Sequence, residues 1–154
     1  MAEVLFYHLE RAALEDVLPG LLEKTRERGW KALVRAASDD RVAALDSHLW
    51  TYREESFLPH AQSRDPHPKE QPILLTSAPG NPNEAEVLFL VDGAATDDWA
   101  GGEVAAAARV VLIFDGRDPA ALDAAREQWK QAKASGHDVT YWQQAATGRW
   151  EKRA

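Results

Sequence analysis

Three runs in the middle of the chain are apolar almost without interruption: 73–76 (ILLT), 87–91 (VLFLV) and 110–114 (VVLIF). A strand with one wet face alternates polar and apolar residues. Short continuous runs bounded by turn residues instead mark strands covered on both faces, as in parallel sheets. The rest of the chain supplies the covering elements. Residues 4–9 (VLFYHL) read as a first strand, and 14–28 carries Leu14, Val17, Leu18, Leu21 and Leu22 at helical spacing, with Gly29 placed to stop the helix. Pro19 lies inside that pattern and predicts a kink or a late start. Residues 31–36 form a second strand, and Ser38 caps a helix with Val42, Leu45 and Leu49 on one face.

The periodicity stops between 51 and 72, where Pro59, Pro66, Pro68 and Pro72 indicate a long exposed connection. An alanine-rich stretch, 96–108, predicts a short helix interrupted by Gly101-Gly102. Pro119 opens the clearest helix, which runs to about Ser135 between Asp118 as cap and Gly136 as stop. A final strand spans 139–143, and 149–154 reads as a charged tail. Strands alternating with helices in this way predict one α/β layered domain over 1–154, a mostly parallel central sheet flanked by helices.

Charge and composition narrow the function. The chain has no cysteine, so disulfides, thiolate nucleophiles and cysteine-bound zinc are excluded. Asp and Glu outnumber Lys and Arg 25 to 18, a net charge of −7. A protein that binds mainly by neutralising phosphates is normally basic, so little direct DNA binding is expected. The start of the chain lacks a positive segment and a long apolar segment, and no run approaches the roughly 18 uncharged residues of a membrane span. The expected location is the cytoplasm, with no membrane partner.

The usual chemistry of open α/β sheets has no visible motif. The first strand runs into Glu10-Arg11-Ala12-Ala13 rather than a glycine-rich turn, and no P-loop is present. No cofactor is expected. The histidines His8, His48, His60, His67 and His137 show neither helical metal spacing nor a neighbouring serine elbow. No catalytic residue and no metal ligand is assigned. One alternative keeps an enzyme in view: Val91-Asp92-Gly93 and Phe114-Asp115-Gly116 place Asp92 and Asp115 at strand ends, where two carboxylates hold Mg²⁺ in phosphotransferases and hydrolases. The plainer account is that each Asp-Gly makes a turn.

The last helix carries a more specific pattern. Ala121, Ala125, Gln128 and Ala132 share a narrow face of mostly small residues, and Arg126, Trp129, Lys130 and Lys133 fall on the neighbouring stripe. An indole beside three cations offers an apolar contact and carboxylate partners together. Equally, Trp129 can close the core edge while the cationic stems cover it. A second cluster, Trp50, Tyr52, Phe57, Leu58 and Pro59, fits either a partner-binding patch or a small satellite core.

The string Leu45-Asp46-Ser47-His48-Leu49-Trp50, followed by Ser56-Phe57-Leu58-Pro59-His60 and Gln71-Pro72-Ile73, resembles the chi subunit family of bacterial DNA polymerase III. Phe6-Tyr7-His8-Leu9, the two Asp-Gly strand ends, Ala125-Arg126-Glu127-Gln128-Trp129-Lys130 and Tyr141-Trp142 extend the resemblance across the chain in order. It implies a Rossmann-like, non-catalytic accessory protein of the clamp-loader complex. Such a protein links the replicase to single-stranded DNA-binding protein by gripping that protein's acidic C-terminal tail, which ends in Pro-Phe. The resemblance places the grip on Arg126, Trp129 and Lys130, and helical spacing adds Lys133. It gives the surface around Trp50, Phe57, Leu58 and Pro59 to the psi subunit or a competing helicase. Leu122 and Asp115 depart from it, standing where some members have a basic and an apolar residue.

Overall fold

The computed structural model describes residues 2–51, 59–62, 65, 67–96, 98–101, 104 and 107–153. Its strands are β1 (Glu3–Leu9), β2 (Ala32–Arg35), β3 (Ala61–Gln62), β4 (Ile73–Thr76), β5 (Val87–Leu90), β6 (Arg109–Asp115), β7 (Asp138–Gln144) and β8 (Trp150–Lys152). Among the described residues three α-helices accompany them: α1 (Leu14–Glu27), α2 (Asp39–Thr51) and α3 (Pro119–Ala134). The strands form one sheet in the order β3-β4-β2-β5-β6-β1-β7-β8. Every pairing is parallel except β7 with β8.

The continuous apolar runs behave as their composition requires. Every residue of β2, β4 and β5 is buried. One core layer joins Leu14, Leu18 and Leu22 of α1 and Val42, Leu45 and Leu49 of α2 to one sheet face. The other joins Ala125 and Ala132 of α3 to Val4, Phe6, Leu112 and Val139 on the opposite face. The period of two along β1 therefore sends Leu5, Tyr7 and Leu9 toward α1 and Val4 and Phe6 toward α3.

Local chemistry sets the helix ends. The Asp118 carboxylate caps α3 by accepting from Ala120 N at 3.1 Å, and Ser38 Oγ accepts from Arg41 N at 3.3 Å. At the end of α1, Gly29 takes φ +76°, its N–H bonds Arg26 O, and Trp30 N–H reaches back to Thr25 O. That pair of bonds is a Schellman motif.

Three expectations need correction. Helix α1 starts at Leu14 and continues through Pro19 rather than starting late. Proline leaves the carbonyl four residues earlier without its helical donor, and the Nε2 of His48 takes that Glu15 carbonyl at 2.7 Å. The stretch 51–72 is not simply an exposed connection: it adds β3 to the sheet edge and buries His60 and Gln62. The charged tail is tied down as β8 along β7. The helix expected in 96–108 falls on a segment with several residues outside the described set, and Trp99 and Val104 within it are buried.

Candidate functional site

The carboxyl ends of β1, β5 and β6 open into a cleft of about 620 Å³, the position where open α/β sheets bind ligands. Its polar groups are already committed. Asp92 Oδ2 accepts from Arg41 Nε at 2.8 Å, and the same guanidinium reaches Glu15 Oε1 at 2.6 Å. Asp115 Oδ1 accepts from Arg117 Nε at 2.9 Å and from Arg117 N at 3.0 Å. The Arg117 hydrogen bonds hold the Asp115 carboxyl below the usual aspartate range. A guanidinium on each carboxylate opposes a divalent cation, which removes the reason for reading Asp92 and Asp115 as a Mg²⁺ pair. The backbone N–H groups of Glu10, Arg11 and Ala12, which follow β1, all point at Gln144 Oε1, at 3.3, 2.8 and 2.9 Å. That oxygen fills the turn where a phosphate sits in nucleotide-binding relatives of this architecture.

Three of the histidines hold structural contacts. His48 bonds the Glu15 carbonyl, His60 lies 3.0 Å from Asp46 Oδ1, and His137 lies between Ala2 N and the Trp99 carbonyl. Among the described residues no group of three His, Asp or Glu side chains is placed to hold a metal.

The stripe on α3 comes together around an aromatic group. The small Ala125 and Ala132 are buried against the sheet, so α3 lies close enough for Trp129 to reach the residues beneath it. Trp129 is half-buried and meets Phe6 and Tyr141 edge-to-face, with ring centroids 5.5 Å apart in both cases. Lys133 Nζ stands 5.1 Å over the Trp129 ring. Arg126 is 66% exposed, with an ion-pair contact only as close as 3.8 Å to Asp123, one turn away; such a pair holds its charge loosely. Lys130 is exposed on the same helix.

Tyr141 is the residue that helical spacing could not find. Its register opposite Phe6 brings it under Trp129 from a different element. Its hydroxyl lies 2.6 Å from His8 Nδ1. Burial raises the Tyr141 pKa, and the Arg126 charge partly offsets the rise. The available signals were the alternation along β7 and the aromatic at its centre; neither names its partner on β1.

The second cluster is only partly within the described residues. Tyr52, Phe57 and Leu58 lie outside them. Trp50, at the end of α2, is 52% exposed, and among the described residues it is the large hydrophobic side chain that stands out as exposed. Its ring lies 4.5 Å from that of buried His60, and Pro59 is half-buried beside it.

Comparison with known proteins identifies the family. The family described as DNA polymerase III chi subunit, HolC, matches residues 1–140. A Rickettsia prowazekii protein described as "Probable DNA polymerase III subunit chi" is 31% identical over 91 residues, covering 59% of this chain and 55% of its own length. The DNA polymerase III subunit chi of Pseudomonas aeruginosa is 26% identical over 143 residues, covering 90% of this chain and 94% of its own. With the match running through the first strand, the Trp50 cluster and the α3 stripe, the chain belongs to the DNA polymerase III chi subunit family, accessory subunits of the replicase.

Proposed function

We propose that this chain is a non-catalytic bridge in the polymerase III holoenzyme. It binds the acidic C-terminal tail of single-stranded DNA-binding protein through Arg126, Trp129, Lys130 and Lys133. The observation that carries this reading is the half-buried Trp129, braced by Phe6 and Tyr141 and lying under the Lys133 ammonium. A terminal phenylalanine packs against that aromatic group, while Arg126 and Lys130 pair with the tail's aspartates and terminal carboxylate. The stem of Lys133 is flexible, so its ammonium can leave the indole for a carboxylate. Absence of catalysis fits a cleft whose carboxylates are neutralised by Arg41 and Arg117.

A peptide site of this size binds at about micromolar strength, near −8 kcal/mol. Several tails on one coated strand then supply avidity without slow release. The exposed Trp50 supports a second contact surface for psi or a helicase, through which the chain joins the clamp loader; Pro59, Phe57 and Leu58 are assigned to it from the sequence. No described helix is long and apolar enough to cross a membrane.

The test is fluorescence anisotropy of a labelled acidic peptide ending in Pro-Phe. Wild type should bind at micromolar concentration, less tightly as salt rises, and Arg126→Ala and Trp129→Ala should each lose at least tenfold. Equal binding by wild type and both folded variants would place the tail elsewhere.

A further inference from the structure

A second aromatic and cationic cleft lies on the opposite face of the sheet, under the C-terminal half of α1. It measures about 430 Å³, within the range of ligand-sized pockets. Leu5, Val87, Phe89 and Val111 form its apolar floor, with Tyr7 and Trp30 at its sides. The Schellman motif that ends α1 fixes Trp30: its N–H bonds the Thr25 carbonyl, and its own carbonyl accepts from Arg26 Nη1 at 2.9 Å. The backbone that carries the indole into the cleft lining is thereby held in place.

Three cations, Lys24, Arg28 and Arg109, line the cleft against one carboxylate, Glu27, in a chain whose net charge is −7. Glu3 pairs with Arg109 at 2.8 Å, whereas neither Lys24 nor Arg28 has a carboxylate among the described residues within ion-pair distance. The guanidiniums of Arg28 and Arg109 lie 5.1 and 5.5 Å from the centre of the Trp30 ring. Stacking of this kind leaves the in-plane N–H donors of arginine free for a carboxylate. It also occupies the ring, so a nucleobase would have to displace a guanidinium before it could stack.

We propose that this cleft is a second docking site, for an acidic peptide segment carrying one bulky apolar side chain. The apolar side chain enters over Phe89 and Val111 beside Trp30, and flanking carboxylates pair with Lys24 and Arg28. The site is built from α1, β1, β5 and β6 and shares no residue with the α3 stripe, so it stands whether or not the tail reading does.

The experiment uses the ¹⁵N-labelled full chain and an end-capped peptide, Asp-Asp-Leu-Asp-Asp, which has no terminal carboxylate and no phenylalanine. The expected result is a saturable shift of the Trp30 indole N–H below about 1 mM peptide, the weak end of specific recognition. Lys24→Glu with Arg28→Glu, both exposed positions, should weaken it at least tenfold, and Arg126→Ala should leave it unchanged. An unmoved Trp30 signal at that concentration overturns the proposal, as does a shift indifferent to the charge reversals. Movement at Trp129 alone, lost in Arg126→Ala, overturns it while supporting the α3 site. A Trp30 shift with single-stranded oligothymidylate but not with the peptide overturns it in favour of nucleic acid.

Discussion

Gly116 should tolerate no side chain, for a reason that lies wholly in its surroundings. Its φ is not in the left-handed region, so backbone conformation alone would allow alanine. A Cβ placed there, however, would stand 1.7 Å from His8 Nε2 and 2.0 Å from His8 Cδ2, where real contacts exceed 3.0 Å. The imidazole would have to retreat by more than an ångström. It is buried against the Phe114 ring at 5.0 Å and bonded to Tyr141, so it has little room to move. Overpacking of this kind costs about 1–3 kcal/mol. Losing the bond to Tyr141 adds about 0.5–1.5 kcal/mol. Gly116→Ala should therefore destabilise the chain by roughly 2–4 kcal/mol in urea unfolding, with Tm lowered by about 2–4 °C for each kcal/mol. The decisive assay is the cycle with His8→Ala, which removes the obstructing ring. Gly116→Ala should cost little more in that background, giving a coupling well beyond the ~0.5 kcal/mol scatter of independent sites. Additive effects, or a harmless Gly116→Ala, would refute the steric argument.

Three further outcomes follow from the same geometry. Gln144→Leu should cost about 1–3 kcal/mol by leaving three N–H groups to compete for water, whereas Gln144→Glu keeps that acceptor and gives up the Nε2 bond to the Gly148 carbonyl, so it should cost less; urea unfolding of both separates them. Because the Arg117 hydrogen bonds lower the Asp115 pKa, the stabilisation from that pair is complete above the ordinary aspartate value and fades as pH falls through the lower folded value. Arg117→Ala should move the Asp115 carboxyl titration upward, read by ¹³C NMR. His48→Ala should cost more in wild type than in a Pro19→Ala background, where the restored N–H can take the Glu15 carbonyl; thermal unfolding of the four proteins measures the difference.

What the sequence made legible was local. Continuous apolar runs announced strands covered on both faces, and Asp118, Pro119 and Gly29 marked helix ends, because each signal acts within a few residues of itself. The stripe from Arg126 to Lys133 was legible for the same reason, being one face of one helix. Register between distant strands was not. Tyr141 meets Trp129 only because β7 pairs with β1, and β3 exists only because β4 offers it an edge. Trp30 could be read as the residue after a helix stop, but its two guanidinium neighbours include one from β6, 79 positions further on.

The two Asp-Gly dipeptides show how far that limit reaches. At Asp92-Gly93 both residues take positive φ, 50° and 85°, and Ala94 N–H bonds the Val91 carbonyl at 3.0 Å. That is a primed turn, and the glycine supplies backbone freedom. At Asp115-Gly116 the glycine has no such conformation; it supplies space for a histidine on a neighbouring strand. The aspartates diverge as well, one bound by Arg41 from another helix and the other by Arg117 two residues away. Turn propensity explains the first pair from sequence alone. The second is explained only once β1 and β6 are paired in parallel, since that pairing sets His8 beside Phe114 and leaves the next position on β6's exit with no room for a Cβ. Identical dipeptides thus answer to different physics, and the repeated strand ending of this chain is better understood as two separate constraints than as one motif.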